Sequence, residues 1–295
     1  MRKNWLSSCL VVAIPLLAIF HVSAPLTIAS KDQSESPKDV QYKSYTLKSS
    51  IVHVLLIPSN SKFSVSPALS PQLDTLENFA QKYQAIAVLN GGFFDPVNHK
   101  TTSYIVKSGK LVADPRLNER LINNPSLISY LDKILNRTEF RQYLCSKVRY
   151  DMALHSQPPP KNCQLINAIG AGPRLLPQIT LEQEGFLAVN NGRVIRDALG
   201  SSYPNARTAV GITSDNRIIW VMVAQKSQSP TQSGMSLPAL AEFMKTLGVE
   251  QAMNLDGGSS SALYYRGKSF YGKVDAKGNP VRRKIKSVLL VQPKY

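Results

Sequence analysis

The apolar positions along the chain recur with two periods, and these predict its elements. Residues 42–47 and 51–57 read as strands, the second a nearly continuous apolar run. Leu73, Leu76, Phe79, Ala80 and Tyr83 recur at helical spacing, so the spacing predicts an amphipathic helix over 73–83. Residues 85–89 form a buried strand that runs into Asn90-Gly91-Gly92-Phe93-Phe94-Asp95-Pro96. A hairpin follows, with arms at 103–107 and 110–113 around a Ser108-Gly109 turn. Strand character returns at 165–169, and a second hairpin joins 207–213 to 217–224 through Ser214-Asp215-Asn216. Leu237, Leu240, Ala241, Met244 and Leu247 predict a helix over 237–247, with Ser236 as its cap and Gly248 as its stop. Strands at 262–266 and 285–292 complete the series.

Residues 114–164 differ in character. They predict short helices at about 116–122 and 126–135, then a break at Pro158-Pro159-Pro160. This stretch reads as a small inserted helical excursion. The fold class is α+β, a mixed β-sheet with packed helices.

The N-terminus has a different pattern. Arg2 and Lys3 precede an apolar run from Leu10 to Phe20, and small residues follow with Ala24 and Ala29 as cleavage points. Residues 1–29 therefore read as an export signal, 30–41 as a polar linker and 42–295 as one domain. The apolar run is short for a membrane span, so no stable span is expected after signal removal; a signal retained as an anchor is the alternative. Export changes the meaning of the cysteines. Cys9 falls in the signal, which leaves Cys145 and Cys163, an even pair that predicts one disulfide pinning the excursion. Two reduced, buried thiols are the alternative.

Charge narrows the partners. A formal net charge of +16 favours anionic partners. The basic residues are spread along the chain with no nucleic-acid motif. Their densest cluster, Arg282-Arg283-Lys284-Ile285-Lys286, reads as a solvated strand edge. The four histidines are scattered, so no metal or other cofactor is called for.

The chemistry concentrates at Met253-Asn254-Leu255-Asp256-Gly257-Gly258-Ser259-Ser260-Ser261. An apolar run delivers one carboxylate into two glycines, whose backbone can approach a ligand or form an anion-binding nest. Asp256 is either a turn cap or a general acid or base. Asp95 is a second carboxylate or simply a turn residue. Arg207 offers a planar fork for a phosphate, or a structural ion pair at a strand start. Asn90 either donates to a substrate oxygen or caps its strand end. Phe93 and Phe94 present faces to a sugar or to the core. Ser259 and Ser260 lack a Gly-x-Ser-x-Gly context and a histidine partner, which argues against a serine hydrolase.

Four glycine-marked corners now stand in order: Asn90-Gly91-Gly92-Phe93-Phe94, Gly170-Ala171-Gly172-Pro173-Arg174-Leu175, Asn205-Ala206-Arg207-Thr208-Ala209-Val210-Gly211, and Asn254-Leu255-Asp256-Gly257-Gly258-Ser259-Ser260. Their order and content resemble the phosphodiester glycosidase family over roughly residues 50–293. The resemblance implies a glycosidic bond to an anionic group as substrate. It also implies a pocket where the corners meet, with Asp256, Asn90 and Arg207 in catalytic roles. Gly92, Thr208, Gly257, Gly258 and Ser259 would contact the substrate, and Asp95 joins them as a candidate from the residues. In many relatives Asp-Gly followed by Arg or Gln succeeds the strand matching 217–224. Here Ala224-Gln225-Lys226-Ser227-Gln228 stands instead, so one implied carboxylate is missing. The expected function is an exported hydrolase of a sugar–phosphate diester or related glycosidic bond. Alternatives are an exo-glycosidase acting on wall or exopolysaccharide glycan, and a glycan-binding protein without turnover. Oligomeric state is not readable from the chain.

Overall fold

The computed structural model describes residues 39–59 and 61–294; the signal, and the linker up to residue 38, lie outside them. Three principal sheets form the body. The first runs in the order Gln41–Thr46, Ile51–Ile57, Ile218–Ala224, Arg207–Thr213, Val249–Asn254, Arg174–Leu176. The second runs Lys268–Tyr271, Ala262–Tyr265, Ala87–Asn90, Ile285–Pro293, Phe63–Asp74. The third runs Lys110–Ala113, Ile105–Lys107, Gln164–Gly170, Thr138–Leu144, Val148–Leu154. The chain expected to build one mixed sheet thus builds several, and the ladders joining their strands are antiparallel.

Side-chain alternation explains the continuous apolar runs. In Arg207–Thr213 and Ile218–Ala224, Val210, Ile212, Ile218, Trp220 and Met222 point into a core shared with Leu89, Ile105, Phe140, Ile169 and Leu289 of the other two sheets. Their neighbours Ala209, Ile219, Val221 and Val223 point the other way, onto Leu237, Leu240, Ala241 and Met244. Both faces are covered, so neither face needs polar residues. The covering helix is Leu237–Thr246. Its first free N–H groups are met by Ser236, whose Oγ accepts from the Ala239 amide at 3.3 Å. On the outer face of the second sheet, helix Leu76–Tyr83 buries Leu76, Phe79 and Ala80 against Val88, Val288 and Leu290. It starts later than its periodicity suggests because Thr75 caps it, and Leu73 and Asp74 still belong to a strand.

The helical excursion is the main departure. Short helical turns do occupy Pro115–Leu117, Glu119–Ile122, Ile128–Tyr130 and Leu131–Leu135. Beyond them the chain forms the hairpin Thr138–Leu144 and Val148–Leu154, which extends the third sheet. Strand 138–144 hides from a pattern search because Glu139, Arg141 and Gln142 lie among its buried residues. Arg141 and Glu139 pair at 2.7 Å, and the remaining guanidinium donors reach the carbonyls of Leu154, His155 and Gln157. A buried charge is tolerable only with such complete pairing.

Cys145 and Cys163 are bonded, with Cα atoms 4.2 Å apart, at the end of the sheet where Leu144 lies opposite Gln164. The link spans 18 positions of sequence. Closing a loop of that size stabilises the fold by about 3 kcal/mol through the unfolded chain. Replacing both cysteines by serine should lower the denaturant midpoint accordingly. Thiol titration of the unreduced, denatured chain should detect no group beyond that of Cys9; two further reactive thiols would contradict the bond.

Candidate functional site

The four corners meet around residues 254–258. The Asn254 amide donates to Pro173 O at 2.9 Å, and Asn254 O accepts from the Gly172 amide at 3.0 Å. The Leu255 amide donates to Thr208 O, the Asp256 amide to Gly91 O and the Gly258 amide to Ala206 O, at 2.8–3.0 Å. One short segment is therefore stitched to each of the other three corners in turn. Two glycines make the approach possible. A Cβ on Gly92 would stand 2.4 Å from Gly170 O, and Gly258 has φ +59°, a conformation side chains disfavour. Gly257 carries its amide to Asp256 Oδ1 at 2.9 Å. The Gly257, Gly258, Ser260 and Ser261 amides are thus engaged within the protein rather than left as an open nest.

Asn90 ends strand Ala87–Asn90 with its side chain buried. Its Nδ2 donates to Asp256 O at 2.6 Å. Its Oδ1 accepts from Thr208 Oγ1 at 2.8 Å and from the Ala262 amide at 3.0 Å. Of the readings open to Asn90, this geometry is the backbone-holding one, and Thr208 is likewise turned inward to it.

Arg207 belongs to the 205–211 corner, but its head turns onto backbone carbonyls. Its Nε donates to Met235 O, Nη1 to Leu199 O, and Nη2 to Gly200 O and Tyr203 O, at 2.7–3.0 Å. The side chain is buried, and burial pushes its pKa down to about 10, against the pull of Asp197. The fork expected to grip an anion instead fastens the 199–203 loop and residue 235. A guanidinium taken out of water needs such acceptors.

Asp256 is only partly reached by solvent. Burial raises its pKa from 3.8 to about 6, opposed by the Ser260 hydroxyl, the charge of Arg283 and the Gly257 amide. Arg283 was not among the site residues read from the sequence. Its Nη1 donates to Ser259 Oγ at 2.8 Å, and its guanidinium lies over the Phe94 ring, 5.0 Å from the centroid. The register explains its position. Val288 lies opposite Asn90, so the residues preceding strand Ile285–Pro293 run on past that strand end beside the 91–94 corner.

The remaining candidates are placed as follows. Asp95 accepts from the Val97 and Asn98 amides and pairs with Arg120 at 2.9 Å. Burial alone would raise its pKa, but these bonds outweigh it and hold the carboxyl below its ordinary value. Both oxygens are occupied, which is the turn reading. Phe93 packs near Phe186, 5.7 Å between centroids. Where a carboxylate is implied after Ala224, Gln225 is buried, donating to Ser233 O and accepting from the Val274 amide. A cavity of about 350 Å³ opens on Asp132, Thr138, Arg174 and Glu184 rather than on Asp256. Its Glu184 carboxylate is already filled by Thr138, Thr180 and the Arg174 amide. Among the described residues no cluster of His, Cys, Asp and Glu could hold a metal. What the site offers chemically is a carboxyl that keeps its proton up to about pH 6, beside a hydroxyl and a guanidinium.

No curated protein matches the chain. Among solved structures, the zebrafish N-acetylglucosamine-1-phosphodiester alpha-N-acetylglucosaminidase catalytic domain, auto-inhibited by pro-peptide, superposes with a TM-score of 0.63 at 19% identity. That match covers 90% of this chain and 87% of the other. A hypothetical protein from Synechocystis superposes with a TM-score of 0.55 at 15% identity, covering 85% of this chain and 61% of that one. At such identities the likeness concerns the fold. The family model for phosphodiester glycosidase matches residues 83–292, a span that contains all four corners and Arg283. The chain belongs to the phosphodiester glycosidase family.

Proposed function

We propose that the chain is an exported hydrolase of a sugar–phosphate diester or related glycosidic bond, with Asp256 as proton donor to the scissile oxygen. The observation that carries this is a carboxyl whose pKa is raised to about 6, held at the meeting point of the four corners. Glycoside hydrolysis needs a carboxyl group at the leaving oxygen, and burial keeps this one protonated where an ordinary Asp would be ionised. Its backbone is fixed on both sides, by Asn90 at its carbonyl and by Gly91 at its amide, so the proton has a defined position. The apolar run behind Arg2 and Lys3 supports export.

One observation favours a second reading. The stretch Ala224-Gln225-Lys226-Ser227-Gln228 lacks the carboxylate that the resemblance implies, and a site short of one acidic group suits a glycan-binding protein without turnover. Purified protein assayed on a sugar-1-phosphodiester, a wall glycan and a buffer blank separates hydrolysis of either substrate from binding alone.

If Asp256 is the acid, Asp256→Asn should lower turnover by about 10² or more with little change in binding. Unchanged turnover in that variant would move the chemistry elsewhere.

The pH dependence has a definite sign. An acid works while protonated, so turnover should fall as pH rises through about 6. A rate that instead rises through that pH would make Asp256 a base. Stability follows the same group. Its folded pKa is raised above 3.8, so its favourable contribution is complete below that value and lost as pH climbs through about 6. Melting curves of Asp256→Asn and the parent, compared at pH 4 and pH 7, should diverge in favour of the variant at the higher pH.

A further inference from the structure

We propose that Arg283 is the specificity residue that holds the anionic group of the substrate, the phosphate oxygens of a glycosyl phosphodiester. The inference rests on the hydrolase reading of the Asp256 site and deepens it.

The donors decide between the two arginines of the site. Arg207 directs Nε, Nη1 and Nη2 at four carbonyls and is buried. Arg283 makes a single hydrogen bond from Nη1, and its Nε and Nη2 have no hydrogen-bond partner among the described residues. That free edge is the one that pairs bidentately with two oxygens of a phosphate or carboxylate. The side chain is half-buried, and its guanidinium lies over the Phe94 ring, a cation–π contact that limits the freedom lost on binding.

Ser259 adds a second donor. Its Oγ accepts from Arg283, so its own hydrogen is free to point at the same anion. Asp256 completes the geometry. The Arg283 charge is near enough to favour the carboxylate form, yet no ion pair within 4.0 Å joins the two among the described residues. An anion on Arg283 therefore lies beside the proton donor without displacing a salt bridge. Its leaving oxygen is carried toward Asp256 while its non-bridging oxygens stay on the guanidinium. Binding also cancels the positive charge that encourages Asp256 to ionise. The substrate thus helps keep the acid protonated.

The test uses the full chain, Arg283→Gln and Arg283→Lys, on a glycosyl phosphodiester and on the neutral aryl glycoside of the same sugar. The ratio of the two kcat/KM values should fall by roughly 10- to 100-fold in Arg283→Gln, the effect of losing a charged hydrogen-bonding partner. Arg283→Lys should fall between the two, since it keeps charge without the fork. In the parent, the high-pH limb of kcat should lie at higher pH than that of kcat/KM, and the two should draw together in Arg283→Gln. A purely structural role would leave that separation intact. Inorganic phosphate and a sugar carboxylate serve as binding probes. Phosphate should raise the melting temperature of the parent but not of Arg283→Gln, and should do so more than the carboxylate. Equal losses on both substrates, phosphate protection that survives in Arg283→Gln, or no phosphate protection of the parent would each overturn the proposal. If the parent turns over neither substrate but phosphate protects it alone, the anion site stands and the hydrolase reading falls. If Asp256→Asn is inactive while Arg283→Gln keeps the parent's ratio of the two kcat/KM values, the reverse holds.

Discussion

Everything at this site depends on one buried amide. Asn90 lies in the second sheet, Thr208 in the first, Ala262 begins another strand of the second, and Asp256 sits in the segment between them. The Asn90 side chain touches all three partners, giving a hydrogen to one and taking hydrogens from two. A neutral group with a donor and an acceptor at its tip suits this junction. A carboxylate would lack the donor and a methyl group would leave three buried polar groups unpaired, each costing about 1–3 kcal/mol. The position of the Asp256 carboxyl is therefore set by sheet-to-sheet contact rather than by a loop free to drift.

Burial divides the charged groups into two kinds. Arg141 and Arg207 are deeply enclosed, and each is surrounded by backbone carbonyls that take its hydrogens. Such side chains act as brackets for the irregular segments they hold. Arg283 is only half enclosed, and part of its hydrogen-bonding capacity faces outward. Which kind an arginine belongs to depends on whether backbone oxygens or solvent surround its head, not on its residue type.

That distinction also marks what could be read from the chain. The glycine corners were legible because close backbone approach leaves a compositional trace, as at Gly92, where any side chain would strike Gly170 O. The helix at 237–246 was legible through its cap and its apolar stripe. Strand Phe63–Asp74 escaped notice because Pro67 and Pro71 break its pattern, which an edge strand tolerates. Strand Thr138–Leu144 escaped because Glu139, Arg141 and Gln142 mimic a surface segment while lying buried. The sequence identified Arg207 as belonging to the site but not the direction of its head. It hid Arg283 in a basic run, because only the pairing of Val288 with Asn90 brings that run beside Asp256.

The polar joints of this frame share a property. Asn90, Thr208, Asn254 and Gln225 carry no ionisable group, and Arg207, with its pKa near 10, keeps its charge well above neutrality. Gln225 is likewise an amide, and it ties residues 233 and 274. Acidification can therefore neutralise Asp256 without titrating these joints. Such a frame separates the titration of its central carboxyl from the integrity of its architecture.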